Sequence, residues 1–337
     1  MSKVLTLGEL LLRYSTNQGE QLSQASSLNL HYGGSEANVA IGLSSFGHEV
    51  KLLSKLPDNA IGQGAIYQLK RFGVNTNDIH FAEGRMGSYF VETGAGPRAT
   101  SVVYDRKYSA FSFVEANEWD YDTIFDQVSL FHVSGITPAL SPALAQLTID
   151  FVKAAKSRGV LVSFDSNYRG KLWSLAEASV VFAKILPYVD YCSMGTLDAL
   201  NILGIEAADS AYSEEEALAY YYQKMQEKYP NIEVFYSTRR EVVSSDENYL
   251  TGTLWMDQTY YTSKKYHIPY IVDRIGGGDA FSAGVLHGLL KGQDAQEIID
   301  FATGNTVLKH TVAGDALGLS EKEVAAFVQS DSSKISR

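Results

Sequence analysis

DQVSLFHVSG at 126–135, PALAQLTIDFVKAAKSRG at 142–159 and VLVSFDSN at 160–167 make one complete strand–helix–strand unit. The last piece is nearly all apolar, as a strand buried on both faces is, and the middle piece reads as a helix that Gly159 closes. The same alternation extends outward. KVLTLGELLLRYS opens with a strand, Val4 to Leu7, that arrives at Gly8-Glu9. From Gly34, residues Ala37, Ala40, Ile41 and Leu43 to Phe46 fall at helical spacing, and Gly47 stands where a left-handed cap would. HEVKLLSKL (48–56) follows as a strand, and AIGQGAIYQLKRFGV (60–74) as a helix ending near Gly73. Strands and helices in that order predict an α/β fold with a mainly parallel sheet covered on both faces.

Two stretches break the rhythm. Residues 11–33 and 85–114 lack helical period and are rich in Tyr, Ser, Thr, Val and Phe, with Gly94 and Gly96 punctuating a hairpin. They read as antiparallel strands forming a small β lid beside the main sheet. Residues 208–230 read as a helix with one polar face, 241–262 as short strands, and the Ser- and Lys-rich tail as a frayed end. There is no internal repeat or low-complexity linker. The expected organisation is therefore a core of 1–10, 34–84 and 115–327, a lid of 11–33 and 85–114, and a tail of 328–337.

The 337 residues are 45% hydrophobic and 20% charged, enough for a large buried core and too apolar for a disordered chain. A formal net charge of -11 argues against nucleic acid or a membrane surface as partner, because both are polyanions. No apolar run nears the roughly 18 residues that span a bilayer, and no leader opens the chain. Cys192 is the only cysteine, so neither an intrachain disulfide nor a cysteine cage can form. A cytoplasmic setting is expected.

Chemistry concentrates in DRIGGGDAFSAGVLHGLLKG, residues 273–292. Three glycines run into a helix, where a flexible backbone and unpaired N–H groups make an anion cradle suited to phosphate. Asp279 stands beside it, either as a helix cap or as a base aimed at a hydroxyl next to the phosphate. Gly33-Gly34 precedes the helix that carries Asn38. The pair is either a tight turn or a ligand contact, and the amide can bond a polyol hydroxyl. Asp165-Ser166-Asn167-Tyr168-Arg169 follows the buried strand, where ligands of open α/β sheets collect, although an arginine there is also ordinary surface. In the lid, Tyr104-Asp105-Arg106 with Tyr89 suits a carboxylate-bearing sugar, the alternative being strand decoration or a subunit contact. The seven histidines are scattered, with no pair at zinc-ligand spacing. Neither a Gly-x-Ser-x-Gly elbow nor a Gly-x4-Gly-Lys-Ser/Thr loop is present. Tyr220-Tyr221-Tyr222 reads as packing and Cys192 as a buried strand residue.

YGGSEANVAIGLSSFG and DRIGGGDAFSAG, in that order and some 240 residues apart, resemble the two signatures of the ribokinase-like (PfkB) carbohydrate kinases. The resemblance covers nearly the whole chain. Within the family, FDSNYRGKLW and VVYDRKYSAFS are similar to 2-keto-3-deoxygluconate kinases. It implies a doubly wound α/β core with a β lid and an ATP-dependent transfer to the terminal (6-) hydroxyl of 2-keto-3-deoxy-D-gluconate. Asp279 would be the base, and Gly276, Gly277 and Gly278 would stabilise the transferring phosphoryl. The substrate would lie on Gly34, Asn38, Tyr89, Tyr104, Arg106 and Arg169. The nucleotide would lie near Asn167, Arg169, the segment Ser237 to Val242 with Arg239, Gly276, Gly278 and Asn305. Mg2+ would accompany ATP, a monovalent cation is left open, and a homo-oligomer through the lid is expected. Two motifs depart from the family. Gly195-Thr196-Leu197-Asp198 replaces Asn-x-x-Glu, which leaves the metal ligands unassigned, and Ser237-Thr238-Arg239-Arg240-Glu241 lacks the glycines of the usual nucleotide turn. Rival readings are a fructokinase or other ketose kinase, and a sugar-acid-binding regulator without catalysis.

Overall fold

In a computed structural model of the chain, which describes residues 1–330, fourteen strands form two sheets among helices. In chain order they are β1 (Lys3–Leu7), β2 (Leu11–Ser15), β3 (Asn29–Gly33), β4 (Glu49–Pro57), β5 (Ile79–Ala82), β6 (Gly87–Glu92) and β7 (Ser101–Asp105). Then come β8 (Leu130–Ser134), β9 (Leu161–Asp165), β10 (Tyr191–Ser193), β11 (Val234–Val242), β12 (Asn248–Met256), β13 (Thr259–Thr262) and β14 (Tyr266–Ile268). The large sheet runs β13-β12-β11-β10-β9-β8-β1-β4-β5, with β14 on β12; the small sheet runs β3-β2-β6-β7. From β5 to β11 every neighbouring pair is parallel. The 241–262 region, expected as short strands, is instead a long antiparallel extension, with β11 and β12 nine residues each and paired along their whole length. A hairpin can extend a parallel sheet at its edge because it needs no crossover helix.

The core lies on both faces of the large sheet. One face packs Leu5, Phe131 and Phe164 under Phe151, Phe182 and Tyr222; the other packs Val4 and Leu130 under Val39, Leu43, Phe281 and Val285. Both faces being dry is why these strands read as continuous apolar runs rather than alternating ones. Local chemistry sets the helix ends. Ser141 accepts from the Leu144 N–H, Pro142 starts the helix Pro142–Ser157, and Gly159 takes the left-handed turn (φ 72°) that follows it. The tyrosine run sits in the helix Glu214–Lys228, with Tyr221 and Tyr222 buried, and Cys192 is buried in β10. At the other end, the helix Glu321–Gln329 continues past the point where fraying was expected; residues 331–337 of that tail lie outside the described residues.

From β1 the chain builds outward to β4 and β5, then returns to β8 and proceeds the other way. That reversal opens a crevice at the carboxyl ends of the central strands. Glu36, at the start of the helix Ser35–Ser45, spans it by accepting from the Ser134 N–H (2.9 Å), the Ser134 hydroxyl (2.7 Å) and Thr137 (3.1 Å). Burial pushes its pKa up, and those donors oppose the shift.

His132 in β8 is fully buried and meets Ser163 at 3.0 Å, and burial holds its pKa at about 3. A histidine that must stay neutral when folded contributes stability above the unfolded value near 6.5, and that contribution is lost as pH falls toward 3. The urea midpoint of the wild type should therefore fall, relative to His132→Asn, as pH drops from about 6.5 to 4. Parallel pH profiles would show that His132 does not titrate this way.

Candidate active site

The helix Gly277–Lys291 begins in the crevice, and Gly276 precedes it in a left-handed conformation (φ 79°). A Cβ on Gly276 would lie 1.7 Å from the Asp315 carbonyl oxygen, so only glycine fits there. Around Gly278, by contrast, a Cβ would meet nothing within 4 Å, which leaves the start of the helix open to a ligand. Its first-turn N–H groups have no intrahelical acceptors and point their partial positive charge into that space.

Asp279 lies in the first turn but makes no capping hydrogen bond. Instead, Ser35 donates to one carboxylate oxygen at 2.8 Å and Asn38 to the other at 2.6 Å. Asn167 in turn donates to the Ser35 hydroxyl at 2.9 Å. The side-chain oxygen of Asn38, buried and without a partner, remains available to a hydroxyl donor. Burial raises the pKa of Asp279, with the two donors acting against it. Asp165, at the end of β9, is raised to about 7, first by burial and then by Asp279, while Arg169 opposes the shift. The Asp279 charge thus makes ionisation of Asp165 harder.

Gly34, Asn38, Tyr89, Tyr104, Arg106, Asn167, Arg169, Gly276 to Gly278 and Asp279 line one cleft of about 480 Å³. Ser237 and Arg239 line an adjoining cleft of about 370 Å³, and Gly278 lines both. The cradle thus stands between two compartments, as a transfer between two ligands requires. Two expected residues lie elsewhere. Val242, near the end of β11, is exposed and lines neither cleft; Asn305 is buried and ties helices together by donating to the Ala280 carbonyl at 2.8 Å. Several expected ligands are already engaged. Arg106 is buried against Glu9, with Nε 2.9 Å from the carboxylate, and Tyr89 donates to Asp315. Arg239 is paired with Glu214 and Glu215, and Ser237 bonds Tyr222 at 2.7 Å. Arg169 is exposed and makes no salt bridge among the described residues; its guanidinium bonds the Tyr168 carbonyl at 3.4 Å.

Ser35 and Glu9 also line the larger cleft and were not singled out from the sequence, as do Asp165 and Arg240, which were named only within longer segments. Ser35 and Asp165 adjoin residues that were, so adjacency was the available signal. Asp198, in the departing motif, accepts from the Gly195 N–H (2.9 Å) and the Ser166 hydroxyl (2.9 Å). Among the described residues no three His, Cys, Asp or Glu side chains are grouped to hold a metal ion, and no helix is long and apolar enough to cross a membrane.

The lid is locked to the cradle by a buried ion cluster. Arg13 of β2 lies 2.7 Å from Asp273 and 2.9 Å from Asp315. Asp273 also accepts from the Ile275 N–H at 3.1 Å and the Gly314 N–H at 3.0 Å, and Lys309 donates to its carbonyl at 3.3 Å. Two cations and two anions balance, which is the condition for burying them. Arg13→Met should leave Asp273 and Asp315 buried against the single charge of Lys309 and cost roughly 3–5 kcal/mol of unfolding free energy. Urea denaturation checks this, and a loss below about 1 kcal/mol, typical of an exposed pair, would contradict it.

An α/β core with a glycine cradle between two clefts and a β lid defines a group-transfer enzyme acting on phosphate and a small polar acceptor. Residues 1–319 match the model of the pfkB family carbohydrate kinases. The chain belongs to that family and is a sugar kinase. A 2-dehydro-3-deoxygalactonokinase of Haloferax volcanii is 30% identical over 336 residues, 100% of this chain and 99% of that one. The crystal structure of a 2-dehydro-3-deoxygluconokinase from Thermotoga maritima superposes with a TM-score of 0.94 at 37% identity, covering 98% of this chain and 100% of that one. A Xylella fastidiosa fructokinase with bound ATP shares the fold, with a TM-score of 0.76 at 18% identity over 97% and 98% of the two chains.

Proposed function

We propose that the protein transfers the γ-phosphoryl group of ATP to the terminal (6-) hydroxyl of 2-keto-3-deoxy-D-gluconate, with Asp279 as general base. The observation that carries this reading is the placement of Asp279. Its carboxylate is oriented by Ser35 and Asn38, faces the sugar-side cleft, and adjoins the open N-terminus at Gly278. The hydroxyl oxygen attacks phosphorus as the bond to the β-phosphate oxygen breaks; the hydroxyl proton passes to Asp279 and ADP leaves. Helix N–H groups of the cradle neutralise charge on the transferring group.

A sugar acid, rather than a neutral ketose, is supported by the free Arg169 guanidinium in the same cleft and by the substrates named for the two sugar-acid kinases above. Arg106, held by Glu9, serves chiefly to shape that wall. Mg2+ would enter with ATP and would be held largely by the phosphates, in keeping with a magnesium ion's retention of water and phosphate ligands. The carbonyls of Asp273 and Val312 beside the cradle are taken by the Lys309 ammonium, so we assign no monovalent cation. Residues 11–33 and 85–114 act as the lid over the sugar. We further propose a homo-oligomer through it, because β3 and β7 are open edges carrying exposed Leu30, Val103 and Tyr104. A cytoplasmic location goes with use of ATP.

Asp279→Asn should lower kcat by about 10²- to 10⁴-fold while sugar-acid binding, read by calorimetry, persists. Near-wild-type turnover would remove Asp279 from the role. Turnover on 2-keto-3-deoxygluconate, its galacto-epimer, fructose and ribose tests the substrate; preference for fructose would overturn the sugar-acid assignment. Arg169→Met should raise KM for the acid by roughly tenfold or more, the worth of one charge-assisted bidentate contact, and should leave neutral sugars unaffected.

A further inference from the structure

Arg240 lies in β11, paired through its backbone with Leu250, at the position where the family resemblance leads one to expect a glycine turn. Its side chain reaches the sugar-side cleft and lines it together with Gly276, Gly277, Gly278 and Asp279. The terminal nitrogen Nη2 comes 3.7 Å from the point where a Cβ on Gly277 would stand, so the guanidinium rests against the anion cradle itself.

The charge is uncompensated. Its neighbour Arg239 is taken up by Glu214 and Glu215, and Arg274 is tied to the carbonyls of Ser245 (3.0 Å) and Ser244 (3.5 Å). Among the described residues no acid is paired with the Arg240 guanidinium, although the residue is exposed in the cleft; the protein around the group and the like charge of Arg274 push its pKa down. A cation held beside a second cation, with no anion between them, is an unfavourable arrangement unless a ligand supplies the negative charge. The cradle beside it is built for phosphate.

We propose that Arg240 is a catalytic residue of the transfer, its guanidinium binding the phosphoryl group as it passes from ATP to the sugar hydroxyl. This rests on the kinase reading above and adds to it a side-chain cation working with the backbone amides. No proton moves to or from Arg240. Asp279 takes the hydroxyl proton, ADP takes the electron pair of the broken P–O bond, and Arg240 offsets charge on the oxygens of the group in flight. A cation that meets those oxygens as charge develops on them, with bound ligands excluding water, lowers the barrier more than it strengthens ground-state binding.

The test compares wild type with Arg240→Met, Arg240→Lys and Arg240→Ala. Since the side chain makes no hydrogen bond or salt bridge among the described residues, melting temperatures should stay together. In Arg240→Met, kcat should fall by about 10²- to 10³-fold, with KM for the sugar acid changing by less than about threefold. Arg240→Lys should recover only part of the loss, because a point charge does not reproduce the planar fork. Added guanidinium ion should restore part of the turnover of Arg240→Ala, which a merely structural role would not allow. Calorimetry with the non-hydrolysable analogue AMP-PNP and with ADP, each with Mg2+, gives a readout independent of the sugar. The methionine variant should lose affinity for the triphosphate analogue and not for ADP.

A kcat within about threefold of wild type in Arg240→Met would overturn the proposal, as would an equal loss of affinity for ADP and AMP-PNP. If the wild type phosphorylates none of the sugars tested, it is the substrate reading that fails, and the AMP-PNP and ADP comparison still decides the role of Arg240.

Discussion

The hydrogen bond from Asn38 to Asp279 joins residues 241 positions apart, and it exists only because two helices approach each other unusually closely. Gly42 on the helix Ser35–Ser45 faces Ala283 on the helix Gly277–Lys291, where an added Cβ would lie 2.7 Å from that of Ala283. On an adjacent face of the second helix, Gly284 faces the backbone of Ala302, and a Cβ there would come within 2.6 Å of its Cα. Small residues on both faces wedge the Gly277–Lys291 helix between its neighbours, since interaxial distance follows the side chains at the contact. The position of Asp279 is thereby set by packing several residues further along its helix, in a rigid body rather than in a loop. The oriented carboxylate, the open cradle and the division into two clefts all follow from that seat.

Charge in this molecule has to be considered at two ranges. The net charge of -11 spreads over a surface in water, where salt screens interactions beyond about 8–10 Å. The cleft works at hydrogen-bond distance, with Arg169, Arg240 and Arg274 lining it beside the helix N-terminus. At that range, in surroundings less polarisable than water, a local cation outweighs the distant anionic surface. An acidic protein can therefore hold an anionic ligand in such a cleft, while its surface still disfavours polyanions that would have to lie along it.

The lid shows how a β-sheet with open edges can be held in register over a site. Arg13 meets Asp273 and Asp315, and Arg106 meets Glu9, so the central strand β2 and the continuation of the edge strand β7 are pinned by buried ion pairs. Such pairs are weak evidence for net stability, because desolvation costs offset the attraction. Their directionality is more informative here. Asp273 receives Arg13 and also the Ile275 N–H, which makes the lid and the cradle parts of one polar network.

Most of the architecture was legible in the residues. The strands β1, β4, β8 and β9 and the helices between them follow from apolar runs, helical spacing and closing glycines, signals contained within a dozen residues. The glycine cradle was legible for the same reason, since the demand at Gly276 is written into the backbone of a single residue. Side-chain partners were not legible in this way. Arg106 and Arg239 looked like free ligands and are bound to Glu9 and to Glu214 and Glu215, whereas Arg240, named only as part of the Ser237 to Val242 segment, is paired with no acid among the described residues. Asn305 carries a donor that packs inward, and Asp165 gains its pKa of about 7 from burial and from Asp279. Local pattern determines which element forms, because backbone geometry and periodicity are properties of neighbouring residues. Which charge remains free for a ligand was decided only by the tertiary structure, because a charge is satisfied by whatever the fold brings within 3 or 4 Å, from any distance along the chain.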